Sequence, residues 1–249
     1  MPRYRLRIEY DGTPFHGWQR LADIPSVQGT LEAAVQSACG EPAEVTGAGR
    51  TDTGVHALGQ VAHLDLSRDW LPERLAGALN FHLRPHPIAV LEAAACAPDF
   101  HARFDAIRRR YLYRILARRA PPVLDRERVW HVPVRLAAER MHEAAQALIG
   151  RHDFTSFRAI ECQAPSPVKT LDLIHVRTEG DLIEIRFAAR SFLHHQVRNI
   201  VGTLKLVGEG KAPVDHVREV LAHRDRKAAG QTAPAAGLFL VGVDYGPVR

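Results

Sequence analysis

Cysteine is scarce. Cys39, Cys96 and Cys162 are odd in number and far apart, and no Cys-x-x-Cys pair occurs. That spacing excludes a disulfide framework and a zinc knuckle. Cys39 ends an apolar helical stripe and Cys96 follows an alanine run, so both are expected to be small buried hydrophobes. Long apolar runs are missing too: nowhere do eighteen apolar residues follow one another, which excludes a spanning helix. Arginines interrupt the amino-terminal Met1-Pro2-Arg3-Tyr4-Arg5-Leu6-Arg7, where a secretory signal needs an apolar stretch, so the expected location is cytoplasmic. Histidine is plentiful, at 14 residues, but no His-Glu-x-x-His occurs. The nearest spacings, His82 with His86 and His194 with His195, are poor metal candidates.

What the chain does hold is a modest surplus of positive charge, 33 Lys+Arg against 28 Asp+Glu, for a net +5. The surplus is clustered at Arg108 to Arg110, at Arg118 with Arg119, and at Arg224, Arg226 and Lys227. Such clusters suit a polyanionic partner, and equally a solvated basic face. A hydrophobic share of 46% and a charged share of 24% over 249 residues are those of an ordinary globular protein with a sizeable core.

Hydrophobic spacing sets the expected elements. Tyr4, Leu6, Ile8 and Tyr10 alternate with charged residues, the period of a half-buried strand. A polar loop then carries Phe15, His16 and Trp18, with the aromatics expected at a core edge. Ser26 is the expected N-cap of a helix with Val27, Leu31, Ala34 and Val35 on one face and Gly40 as its stop. An extended piece at 43–46, a strand around Ala62, Leu64 and Leu66, and a helix over 70–79 with Pro72 in its first turn follow. Residues 88–95, apolar in character, read as a central strand. In the second half the pattern gives a strand around Tyr111, Tyr113 and Ile115, a helix over 136–149 and a hairpin turning at 179–181. An amphipathic helix around Val197, Ile200, Val201, Leu204 and Val207 comes next, with a helix over 213–221 and a closing strand over 237–245. Hairpins mixed with helices predict an α+β fold with mainly antiparallel sheets.

One stretch has little use in a core: Gly47-Ala48-Gly49-Arg50-Thr51-Asp52-Thr53-Gly54-Val55-His56-Ala57. Its glycines allow positive φ and close approach to a ligand, around a single carboxylate, Asp52, with Arg50 and two hydroxyls beside it. Composition alone leaves open a plain turn or a carboxylate held at a fixed angle. A dinucleotide fingerprint is excluded, because Asp52 stands where the third glycine belongs and would repel a pyrophosphate.

The same stretch resembles the active-site motif of the TruA-type tRNA pseudouridine synthases. Five further segments match that family in its order: residues 10–19 (Tyr-Asp-Gly-Thr-Pro-Phe-His-Gly-Trp-Gln), 100–104 (Phe-His-Ala-Arg-Phe), 109–113 (Arg-Arg-Tyr-Leu-Tyr), 197–202 (Val-Arg-Asn-Ile-Val-Gly) and 233–238 (Ala-Pro-Ala-Ala-Gly-Leu). The resemblance implies the pseudouridine synthase fold, with two related α/β halves meeting at a basic central cleft. Residues 1–105 would carry the Asp52 loop, and 106–249 a stacking tyrosine and a partner arginine.

It also implies a chemistry: cofactor-independent isomerisation of uridine to pseudouridine at positions 38, 39 and 40 of tRNA, by a homodimer. Asp52 would be the catalytic carboxylate, Arg198 its cation and Tyr111 the ring beneath the uracil. Arg50 would fill the space the base leaves, with Thr51 beside it; Arg109 and Arg110 would meet phosphates, and Leu238 would line the uracil pocket. Pattern alone would make Arg198 a surface arginine lying over the core. Gln196 stands where the family usually has Met, and its place two positions before Arg198 suggests that it faces away from the pocket. A non-catalytic basic RNA-binding or RNA-chaperone protein would explain the charge but leave the Asp52 loop without a purpose. An aspartate-dependent hydrolase would lack its second carboxylate.

Overall fold

A computed structural model describes residues 1–246; residues 247–249, the last of the expected second half, lie outside the described residues. The chain divides into two compact units, Met1–Ile107 with Phe239 onward, and Arg108–Leu238. The halves that the resemblance implies, 1–105 and 106–249, differ from this division at the closing strand, which counts with the first unit.

In the first unit, β1 (Arg3–Tyr10) lies between β3 (His56–Asp65) and β4 (Ile88–Cys96), antiparallel to both. The closing strand β10 (Leu238–Tyr245) adds beside β3 in parallel, with Phe239 opposite His56 and Leu240 opposite Ala57. A two-residue β2 (Thr46–Gly47) hangs on β3 opposite His63 and Ala62. Helix α1 (Val27–Cys39) starts where the Ser26 Oγ accepts the Gly29 N–H and stops at Gly40 in the left-handed region, φ 75°. It buries Val27, Leu31, Ala34 and Val35, and α2 (Pro72–Leu83) buries Leu75, Leu79 and Leu83. The alternation of β1 is met in full: Tyr4, Leu6, Ile8 and Tyr10 are buried.

Two expectations fail here. Residues 88–95 form an edge strand, not a central one. Glu92 interrupts the run, and its apolar character comes largely from Ala93, Ala94 and Ala95, which are too short to need cover on both faces and stay partly exposed. Cys39 and Cys96 are likewise only half-buried, while Cys162 is buried.

In the second unit the order is β5 (Ala106–Ala117), β9 (Leu182–Ala189), β8 (Val168–Glu179) and β7 (Gly150–Asp153), antiparallel throughout, with β6 (Trp130–Val132) parallel to β5. The sheets of the two units are thus mostly antiparallel. Three helices complete the unit: α3 (Ala138–Ala145), α4 (Gln196–Gly208) and α5 (His216–His223). The first is shorter than expected because the chain tightens into a 3-10 turn at Gln146–Leu148 and reaches Gly150 at φ 100°. On β9, Glu184 is buried among arginines. Arg177 donates to it through Nη2 at 2.6 Å and Nε at 2.9 Å, and Arg186 through Nη2 at 3.1 Å, while the Arg114 Nε lies 3.7 Å away. Burial alone would raise its pKa, but the bonds from Arg177 and Arg186 outweigh that and hold it below the usual glutamate range. Among the described residues, no helix is long and apolar enough to cross a membrane.

Candidate active site

The Asp52 loop leaves β3's flank and returns to the same strand. β2 ties its first end to β3, the Ala48 N–H donates to the Val61 carbonyl at 2.7 Å, and His56 opens β3 at the other end. Across the middle, the Gln60 Nε2 donates to the Gly49 carbonyl at 2.7 Å. A main-chain bond from Val55 N–H to the Asp52 carbonyl, 3.1 Å, closes the turn, with Gly54 at φ 75°. Asp52 is half-buried and Arg50 is exposed. Thr51 is buried, its hydroxyl 2.8 Å from that of Tyr10, so in this unit it anchors the loop.

The segment at 11–19 is built to fit under this loop. The Trp18 N–H donates to the Thr51 carbonyl at 3.0 Å, and the Gly54 N–H to the Phe15 carbonyl at 3.3 Å. A Cβ on Gly17, at φ 92°, would fall 2.7 Å from the Thr51 carbonyl oxygen, and one on Gly12 would fall 2.0 Å from that of Val55. Phe15 and Trp18 are buried, as expected of a core edge. Not every glycine of the loop serves conformation: Gly47 is absent from the positive-φ positions and instead makes room for the Trp18 ring, which a Cβ would meet at 2.5 Å. Behind the loop, Ala48, Val61 and Ala102 form a small buried cluster. The Ala102 N–H donates to the His63 Nδ1 at 3.2 Å, and its carbonyl accepts from the Tyr245 hydroxyl at 2.7 Å. Burial pushes the His63 pKa down, which suits a neutral ring that accepts.

The second unit carries the other expected residues. Tyr111 on β5 is partly exposed, and the Phe192 ring meets it edge-on, with centroids 5.1 Å apart at 87°. Arg110 is exposed, whereas Arg109 is buried, its Nη1 donating to the Arg190 carbonyl at 2.6 Å across to the end of β9. Tyr113 is fully buried, with its hydroxyl on the Pro234 carbonyl at 2.7 Å, and burial drives its pKa up. Arg198 on α4 is half-buried, and its Nε donates to the Ala233 carbonyl at 2.7 Å. This is a guanidinium fixed by a named acceptor, which a side chain lying loosely over a core would lack. Leu238 is buried at the start of β10. Gln196 is wholly buried. Its Oε1 accepts the Leu193 N–H at 2.8 Å at the head of α4, while its Nε2 has no hydrogen-bond partner among the described residues.

Sequence reasoning missed Gln60 and Phe192, and gave Tyr10 and Ala233 a place in a strand or a matching segment but no role at the site. Gln60 did leave a signal, a long polar residue inside a mostly buried strand.

A carboxylate loop slung from one strand, in a mostly antiparallel α+β chain, agrees with what sequence comparison finds. The chain belongs to the tRNA pseudouridine synthase family, whose sequence profile matches residues 7–105 and 144–246. Proteins named tRNA pseudouridine synthase A resemble it along nearly their full length. That of Paramagnetospirillum magneticum is 60% identical over 245 residues, covering 98% of this chain and 96% of the relative. That of Cereibacter sphaeroides is 60% identical over 249 residues, with coverages of 98% and 97%. The Agrobacterium fabrum protein is 59% identical over 247 residues, with coverages of 98% and 93%.

Proposed function

We infer that this protein is an isomerase that converts uridine to pseudouridine in tRNA, with Asp52 as its catalytic carboxylate. The observation that carries the reading is the Asp52 loop, held at both ends and from beneath, in a chain similar to synthases along nearly its whole length. A non-catalytic RNA-binding protein would have no need of that loop, and the comparisons do not support it.

The reaction breaks the N1–C1′ bond, turns the base and joins C1′ to C5; the C5 proton is lost and N1 gains one, so atoms balance without a second substrate. Two roles suit Asp52: addition to the uracil ring, or assistance to glycosidic cleavage with deprotonation at C2′. Both need the carboxylate ionised at the moment of attack. A guanidinium meets that need by gripping both oxygens, which a lysine does not, and we assign this to Arg198. Tyr111, kept upright by Phe192, is assigned to stack on the extruded uracil. Such stacking is worth ~1–3 kcal/mol, against a few kcal/mol to flip a base out. Arg50, exposed on the same loop as Asp52, takes the vacated space. Thr51 holds the loop in register, Leu238 lines the uracil pocket, and Arg109 and Arg110 meet phosphates, adding affinity without sequence choice. A basic central cleft, uridines 38, 39 and 40 as targets, a homodimer and a cytoplasmic location complete the proposal, on family resemblance.

The test is an RNA product map. Unmodified tRNA is incubated with the parent or with Asp52→Asn, with neither metal nor cofactor added, and pseudouridine is located. The variant is expected to bind tRNA and form no product. Product at the parent's rate would remove Asp52 from the chemistry.

A further inference from the structure

Arg226 lies outside every segment assigned to the site, in the 3-10 turn Arg226–Ala228 beyond α5. Its guanidinium is half-buried and its acceptors are all neutral: the Gly230 carbonyl at 2.9 Å, the Ala229 carbonyl at 3.4 Å, the Asn199 Oδ1 at 3.0 Å and the Thr232 Oγ1 at 3.0 Å. Among the described residues no carboxylate pairs with it, and burial holds its pKa below the usual arginine range. Partial burial of a cation without a counter-ion is unfavourable, so space-filling does not account for it.

What it grips is a segment laid backbone to backbone on α4. A Cβ on Gly202 would fall 1.7 Å from the Gln231 carbonyl oxygen, and one on Gly230 would fall 2.6 Å from that of Gly202. The Gly230 N–H donates to the Thr203 Oγ1 at 2.9 Å, and the Thr232 hydroxyl to the Asn199 Oδ1 at 2.7 Å. Asn199 is itself buried and fixed through its Nδ2 to the Phe157 carbonyl at 2.9 Å. One residue further, Ala233 and Arg198 bond twice: the Ala233 N–H donates to the Arg198 carbonyl at 3.1 Å, and the Arg198 Nε to the Ala233 carbonyl at 2.7 Å. The acceptor that aims Arg198 therefore belongs to a strip of chain whose other end Arg226 holds.

We propose that Arg226 is a positioning residue for the isomerisation, clamping residues 229–232 to Asn199 so that the Ala233 carbonyl fixes the direction of the Arg198 guanidinium. This rests on the reading above that Arg198 serves the reaction. A planar fork reaches these spread acceptors together, and an ammonium does not.

The test uses Arg226→Lys, Arg198→Lys and the double variant, with turnover on unmodified tRNA and amide hydrogen exchange as readouts. Arg226→Lys is expected to lower kcat roughly tenfold, the scale of a lost hydrogen bond to a charged group, with KM for tRNA within about twofold. Exchange at the Gly230 and Ala233 amides should quicken by a similar factor while Leu204 and Val207, inside α4, keep their protection. In the Arg198→Lys background, Arg226→Lys should add little, because both act through one guanidinium. Losses that multiply in full would mean that Arg226 acts separately, and would overturn the proposal. So would an unchanged kcat in Arg226→Lys beside an impaired Arg198→Lys. An unimpaired Arg198→Lys would instead remove the role of Arg198, and the clamp's purpose with it. If Arg226→Lys does not fold, Thr232→Val breaks the same bridge without touching the charge. It should lower kcat severalfold, and a parent-like kcat would again overturn the proposal.

Discussion

The fit between Gly17 and the Asp52 loop can be measured against a second glycine in the same unit. Gly17 and Gly40 both have positive φ, 92° and 75°, but a Cβ on Gly40 would meet nothing within 4 Å. Gly40→Ala therefore carries backbone strain alone, about 1–2 kcal/mol. Gly17→Ala carries the same strain and drives a methyl against the Thr51 carbonyl. That oxygen must retreat from 2.7 Å to an ordinary contact of about 3.4 Å, a shift of ~0.7 Å one residue from Asp52. Overpacking adds about 1–3 kcal/mol, and loss of the Trp18 N–H bond to Thr51 adds about 1 kcal/mol. At about 2–4 °C per kcal/mol for a chain of this size, Gly40→Ala should melt roughly 5 °C below the parent and Gly17→Ala roughly 12 °C below. The activities should separate further. A displacement approaching 1 Å next to a catalytic group costs up to about a hundredfold in rate. Gly17→Ala should thus lose at least about tenfold in kcat when assayed well below its melting point, with tRNA binding retained, and Gly40→Ala should turn over like the parent. If the two variants melt alike and both keep full turnover, the segment at 11–19 does not set the height of the Asp52 loop.

Two stability predictions follow from elsewhere in the fold. Because arginines hold the folded pKa of Glu184 below its unfolded value, its stabilisation is present above the unfolded pKa and lost as pH falls through the folded one. Glu184→Gln should then cost about 1–2 kcal/mol at pH 7, and the gap in urea midpoint between parent and variant should close below roughly pH 4; a gap that is constant with pH would refute the assignment. Gly77, exposed within α2 with nothing within 4 Å of an added Cβ, should gain about 0.5–1 kcal/mol as Gly77→Ala, read as a raised melting temperature.

Where burial was one-sided and regular, the sequence was easy to read. The strand around Tyr4 to Tyr10, the Ser26-capped helix, the hairpin turning at Gly180 and the Val197-to-Val207 stripe of α4 all stand as periodicity suggests. Alanine misled at Ala93 to Ala95, since an apolar letter this small does not report depth. Within the candidate site, glycine content around Asp52 was enough to flag a shaped loop. It could not say that Gly12 and Gly17 are spacers for the carbonyls of Val55 and Thr51, because those partners lie more than thirty residues away. Arg226 was visible only as one more charge in a basic cluster. Its meaning comes from the Asn199 and Thr232 oxygens it joins, which no local spacing announces.

The parallel pairing of β10 with β3 has a consequence for synthesis on the ribosome. Val243 and Tyr245 pack behind the Asp52 loop, on Ala48, Val61 and Ala102, yet they are translated some 140 residues after the last of these. A nascent chain therefore has every letter of the Arg108–Leu238 unit before the older unit receives its final strand. Until then the loop's underside waits half-covered, and a message broken between the codons for Leu238 and Val243 would yield an intact younger unit beside an unfinished older one.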